Sequence, residues 1–133
     1  MRHRLFVHII WTTREREPLI DDKVATLLRG FLPAVAQQER CTVLELGVVG
    51  THMHMIVRLH PSTNISQLLQ RLKGGSSVIA NREGHAPRDH PLRWARGYTI
   101  ESVGLRALGP ARDYVRNQHL RHPEDAIDSG QDG

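Results

Sequence analysis

The stretch T-V-L-E-L-G-V-V-G-T-H-M-H-M-I-V-R-L, Thr42 to Leu59, contains two β-rich runs separated by Gly50 and Thr51. Runs this close in sequence pair antiparallel, because a parallel return needs a crossover of about a dozen residues or more. The expected strands are residues 42–49 and 52–59. Side chains on a strand alternate between faces, so His52 and His54 project together and Met53 points the other way.

Upstream, R-L-F-V-H-I-I-W-T-T at Arg4 to Thr13 is rich in β-branched and aromatic residues and predicts another strand. Asp21 and Asp22 offer a helix cap. Val24, Leu27, Leu28, Phe31, Leu32 and Val35 then follow at three- and four-residue spacing, predicting an amphipathic helix to about Arg40. Pro33 inside it predicts a kink or a division in two. After the hairpin, Pro61 to Asn64 form a loop and cap. Ile65, Leu68, Leu69 and Leu72 mark a second helix, which passes Lys73-Gly74-Gly75-Ser76-Ser77 to reach Val78 and Ile79. Glu83 to Arg93 is a loop, Tyr98 to Val103 alternates as a fourth strand, and Gly109 and Pro110 open a last helix from Ala111 to about Leu120. The order β-α-β-β-α-β-α fits an α+β, ferredoxin-like fold. In it an antiparallel sheet carries helices packed on one face, and a further helix stands at the C-terminal end.

The chain has 133 residues, enough for one core without disulfides, and shows no repeat or second domain. Residues 1–123 form the expected domain. Residues 124–133 carry four acids, no Lys or Arg and little apolar content, as a solvated, disordered tail does. Net charge is +4, but without that tail 18 basic residues face 10 acidic ones, so the body is +8. This balance favours a polyanionic partner. Sixteen of the basic residues are Arg, which suits phosphate contacts and equally reflects a compositional bias of the coding DNA. The lone Cys41 excludes an internal disulfide and fits a cytoplasmic setting, where it reads as a small buried hydrophobe. No apolar run reaches the roughly 20 residues of a membrane span, and the first strand lacks the features of a signal peptide.

Two constellations bear on chemistry. His52 and His54 on one strand face suit a divalent metal, or form a polar face opposite a Met-filled core. Tyr114 and Gln118 in A-R-D-Y-V-R-N-Q lie four apart on one helix face. Taken alone, such a tyrosine packs at a helix–sheet boundary with its hydroxyl in water. His119 and His122 follow, as further ligands or as residues favoured by the helix dipole. His3, His8, His60, His85 and His90 read as surface or strand polar positions.

Together these motifs resemble the single-tyrosine HUH transposases. That group includes insertion-sequence transposases acting on single-stranded DNA and the REP-associated tyrosine transposases. The resemblance extends to H-I-I-W-T-T-R-E-R at His8 to Arg16, R-L-K-G-G-S-S at Arg71 to Ser77, R-W-A-R-G-Y-T-I-E-S-V-G at Arg93 to Gly104, and D-Y-V-R-N-Q-H-L-R-H at Asp113 to His122. It thus covers residues 3 to 122, in order.

The resemblance implies that His52, His54 and Gln118 bind a divalent metal, Mg²⁺ or Mn²⁺. It implies that Tyr114 attacks a DNA phosphodiester, giving a 5′-phosphotyrosine and a free 3′-hydroxyl. A phenol of pKa about 10 is a poor nucleophile unless the phosphate is polarised, which is the metal's part. Two nitrogens and one oxygen suit Mn²⁺ better than Mg²⁺. The family usually has an acid before the first histidine, where Thr51 stands here; its loss weakens metal binding unless the hydroxyl substitutes. Arg14, Arg16, Arg71 and Lys73 are candidates for phosphate contact, and Arg93 and Arg96 flank Trp94 as a stacking face. The implied partners are single-stranded or hairpin DNA and a second copy in a homodimer, the tyrosine helix staying in its own subunit or exchanging, with Leu105 to Gly109 as the connecting segment. Two alternatives are a non-catalytic nucleic-acid-binding module on the same scaffold and a metal-dependent hydrolase with no DNA role. An RNA-recognition sheet is disfavoured because no strand carries clustered aromatics.

Overall fold

The structure is a computed structural model and describes residues 4–117 and Ile127. Its elements are β1 (Leu5–Thr12), α1 (Asp22–Gln38), β2 (Thr42–Val48), β3 (His52–Leu59), α2 (Ile65–Arg82), β4 (Thr99–Val103) and α3 (Leu108–Arg116). Short 3-10 turns occupy Arg14–Arg16 and Leu105–Ala107. The sheet order is β2-β3-β1-β4, every neighbouring pair antiparallel, which is the ferredoxin-like arrangement.

Alternation along the two central strands gives the sheet two different faces. Val7, Ile9 and Trp11 of β1 pair with Val57, Met55 and Met53 of β3 and point into a core completed by Leu28 and Leu32 of α1 and Leu68 and Leu72 of α2. Full burial of each such leucine contributes about 2 kcal/mol, so this layer carries most of the stability. The other face presents His8, Ile10 and Thr12 beside Ile56, His54 and His52. It is free to hold polar groups because the core lies behind it.

Asp21 caps α1 by accepting a 2.9 Å bond from the Val24 amide, as its place in the sequence implied. Pro33 does not divide α1 in two, and the helix runs unbroken through it. The hydrogen bond that Pro33 cannot donate is offset by burial of Leu28, Leu32, Val35 and Ala36 around it. Helices α1 and α2 pack closely, since a Cβ on Gly75 would lie 2.8 Å from Phe31 Cζ.

The last helix begins at Leu108, before Ala111, with Pro110 in its first turn. The segment expected to connect β4 to it is itself a 3-10 turn followed by helix. Gly104 there has an ordinary φ of −71°. Of the expected acidic tail, Ile127 falls among the described residues, and it is half-buried against the core cluster. The rest of that tail, with Gln118, His119 and His122, lies outside the described residues.

Candidate active site

The turn between β2 and β3 is anchored before it presents any chemistry. Thr13, wholly buried, donates its amide to Thr51 O at 2.8 Å, and its hydroxyl lies between Glu17 O at 2.5 Å and Thr51 O at 3.1 Å. With its backbone fixed, Thr51 holds its Oγ1 3.0 Å from His52 Nδ1. The hydroxyl thus stands against the imidazole where the sequence lacks the customary acid. His52 and His54 are each 5% exposed, and their ring centroids are 5.0 Å apart on the same face of β3.

His54 has a partner that sequence reasoning passed over. His8 Nε2 lies 3.0 Å from His54 Nδ1, and the two rings are 5.1 Å apart. Burial holds the His8 imidazole below its ordinary pKa, against a smaller upward pull from the Glu101 carboxylate. The signal available in sequence was alternation: His8 sits between Val7 and Ile9, on the opposite face from both.

Tyr114 reaches this cluster from α3. Its ring lies 5.9 Å from that of His54 and 6.3 Å from that of His8, edge-on to both. The helix is held by Glu45, whose Oε1 accepts from Arg112 Nε at 3.2 Å, Arg112 Nη2 at 3.1 Å and Arg116 Nη2 at 2.6 Å. The Arg116 bond is the first cause that holds the Glu45 carboxyl below its usual range, and Arg112 adds to it. Glu45 faces this way because of a β-bulge between Val43 and Glu45. Without the extra residue, Glu45 would share the core face with Val43; the bulge turns it over toward α3.

Other expected site residues lie elsewhere. Arg14 donates its amide to Arg93 O at 2.9 Å. Both line a cavity of about 330 Å³, together with Glu15, Glu17 and Asp89, so that surface is of mixed charge. Arg16 and Arg96 are exposed. Arg71 is engaged between helices, donating to Glu39 Oε1 at 2.7 Å and Gln38 Oε1 at 2.5 Å. Lys73 Nζ donates to Ala95 O at 2.9 Å and Gly97 O at 2.7 Å. Trp94 gives its indole N–H to Lys73 O and Ser76 Oγ and packs edge-on against Trp11. Lys73 and Trp94 therefore pin the 94–97 segment to α2.

No group of three or more His, Cys, Asp or Glu side chains among the described residues is placed to hold a metal. Two buried imidazoles on one strand face, each with Nδ1 against a partner, do fit part of the donor set of a divalent ion.

A ferredoxin-like sheet with H-x-H on a central strand beneath a tyrosine-bearing helix is the arrangement of single-tyrosine HUH transposases. The family described as Transposase IS200 like matches residues 1–118, and the chain belongs to that family. It is 24% identical over 120 residues to the ISDra2 transposase TnpA of Deinococcus radiodurans, covering 88% of this chain and 86% of that one. It is also 24% identical over 114 residues to the IS200 transposase of Salmonella typhimurium, covering 84% and 74%. Among solved structures, a transposase-like protein from Deinococcus radiodurans superposes with a TM-score of 0.68 at 25% identity, over 90% of this chain and 94% of that one. A REP-associated tyrosine transposase bound to a REP hairpin also gives a TM-score of 0.68, over 92% and 70%; at 14% identity it shows the shared fold. No helix among the described residues is long and apolar enough to cross a membrane.

Proposed function

We propose that this transposase cuts and rejoins single-stranded DNA through Tyr114, with a divalent metal held by His52, His54 and Gln118. The observation that carries the reading is the meeting of the Tyr114 ring with the H-x-H face of its own chain, 5.9 Å from His54. In the reaction the phenol oxygen attacks phosphorus and loses its proton. An oxygen–phosphorus bond forms, the bond to the 3′-oxygen breaks, and that oxygen leaves with a proton as a free hydroxyl. Because the phosphodiester is exchanged for a phosphotyrosine, its reversal joins strands without another energy source. Bound there, Mn²⁺ or Mg²⁺ polarises the scissile phosphate and stabilises the leaving oxygen.

The chain's own residues prepare for this. A neutral imidazole that ligates through Nε2 carries its proton on Nδ1. Thr51 Oγ1 is then the acceptor for His52, and His8 Nε2 the acceptor for His54. Each histidine of the pair is oriented by one such bond, with its tautomer selected. The substrate is a single strand or hairpin, a reading supported by the hairpin bound to the REP-associated relative. The assembly is a homodimer.

Incubation of single-stranded oligonucleotides with Mn²⁺, followed by denaturing electrophoresis, tests the reading. A covalent protein–DNA adduct is expected, and it should vanish in Tyr114→Phe. Tight binding with no adduct would make the chain a binding module, and an adduct that survives in Tyr114→Phe would remove the tyrosine from the chemistry.

A further inference from the structure

At the far end of the same sheet from the H-x-H pair lies a cavity of about 610 Å³, lined by Arg4, Arg40, Arg58 and His60 with Phe6 and Leu105. It lies where β1 begins, β3 ends and the 3-10 turn after β4 starts. Neither His52, His54 nor Tyr114 touches it. No carboxylate lines it, and none of its three arginines forms an ion pair among the described residues. Three such guanidiniums gathered over a small apolar floor make a site for phosphate oxygens, which guanidinium forks bind two at a time.

The backbone at Arg40 points the same way. Arg40 follows α1 with φ of +62°, the left-handed region where helices ordinarily end in glycine. The end is a full Schellman motif, Arg40 N–H to Gln37 O at 3.0 Å and Cys41 N–H to Ala36 O at 2.9 Å, so the conformation is set by the helix end and not by the side chain. A side chain here works against local stability, and what it adds is a charge at the rim of the cavity.

We infer that this cavity seats backbone phosphates of the bound DNA strand, outside the cleavage site and without regard to sequence. The inference rests on the proposed DNA reaction for its ligand. Arg58, the exposed residue of β3, lies on the same sheet face as the buried His54, four residues along the strand, a separation of about 13 Å. A strand of a few nucleotides is long enough to span from the tyrosine site to Arg58. Leu105, half exposed at the cavity edge, offers an apolar contact for sugar or base.

The test is binding of a labelled single-stranded oligonucleotide, by anisotropy across a salt series in EDTA, for wild type, Arg58→Gln, Arg40→Gly and Tyr114→Phe. Removing one phosphate–arginine pairing lowers the slope of log affinity against log salt by about 0.7 for a single strand. Arg58→Gln and Arg40→Gly should each show such a drop, while Tyr114→Phe keeps the wild-type slope. Arg40→Gly should at the same time raise Tm, which separates a missing phosphate ligand from a damaged fold. Wild-type slopes in both arginine variants would overturn the inference, as would a weaker binder at Arg40→Gly with a lowered Tm. Failure of adduct formation with these slope changes intact would refute the cleavage reading and leave the phosphate seat standing. Adduct formation with unchanged slopes would do the reverse.

Discussion

Replacing Glu45 by Gln should loosen the tyrosine helix without unfolding the protein. Val115 is the fully buried residue of α3, so about 2 kcal/mol of apolar burial still holds the helix when the charge is removed. Its charged tether is Glu45, which is 14% exposed, against Arg112 at 38% and Arg116 at 56%. Exposed ion pairs contribute about 0.2 to 1 kcal/mol, and the two-bond Arg112–Glu45 contact, with its acid largely covered, belongs near the upper end. Loss of about 1 kcal/mol is a change of about fivefold in the docking equilibrium. Arg116 is too exposed to be assigned a share. The assay is hydrogen exchange of amides 112–116, which lie beyond the first turn and donate within the helix. They should exchange about fivefold faster in Glu45→Gln while amides of β1 and β3 and the global Tm stay as in wild type. Acidity should reproduce the effect. The Glu45 carboxyl is held below its usual range in the docked state, so the undocked state binds more protons and docking strengthens with rising pH. Protection of α3 is complete above the ordinary carboxylate range and is lost as pH falls through the lowered value, and Glu45→Gln abolishes that dependence. Unchanged α3 protection in Glu45→Gln, or a fall in Tm that follows the core amides, would refute the reasoning.

Thr51→Val removes the hydroxyl from His52 Nδ1 at nearly constant volume, so Mn²⁺ affinity measured by calorimetry should fall about 10- to 100-fold, and Thr51→Asp should restore it; an unchanged affinity in Thr51→Val would show that the hydroxyl does not orient the ring. Gly74→Ala meets open space within α2 and should gain up to about 1 kcal/mol in helix propensity, whereas Gly75→Ala brings a Cβ to 2.8 Å from Phe31 Cζ and should fall short of it, a difference read directly from the two Tm values and absent if the helices separate easily.

The elements legible in sequence were those whose pattern both faces of the sheet enforce. Strand β3 runs from His52 to Leu59 as its composition implies, because Met53, Met55 and Val57 are committed to the core and a one-residue slip would bury the wrong set. What escaped depended on pairing across the chain. His8 is an unremarkable polar residue until β1 lies beside β3 and brings its ring to His54. Glu45 counts to the core face by simple alternation, and the bulge that reverses it has no glycine to announce it. Lys73 and Arg71 show the limit for charge: a lysine that binds two backbone carbonyls and an arginine that joins two helices have the same composition as phosphate ligands.

The two sheet faces divide the work in a way that explains why the site can be built as it is. Buried histidines need hydrogen-bond partners, and these have them on a face that the core does not need. The same division separates Tyr114 from the scaffold. Apolar burial fixes the two histidines through β1 and β3, whereas Tyr114 rides on a nine-residue helix held by the burial of Val115 and by charge to one acid. Leaving the sheet would cost the burial of Val115 as well as the Glu45 pairs, more than a surface ion pair alone, while the strands that carry the histidines stay paired. Movement of Tyr114 relative to the histidines therefore requires no unfolding of the sheet, but it does require new partners for Glu45 and new cover for Val115.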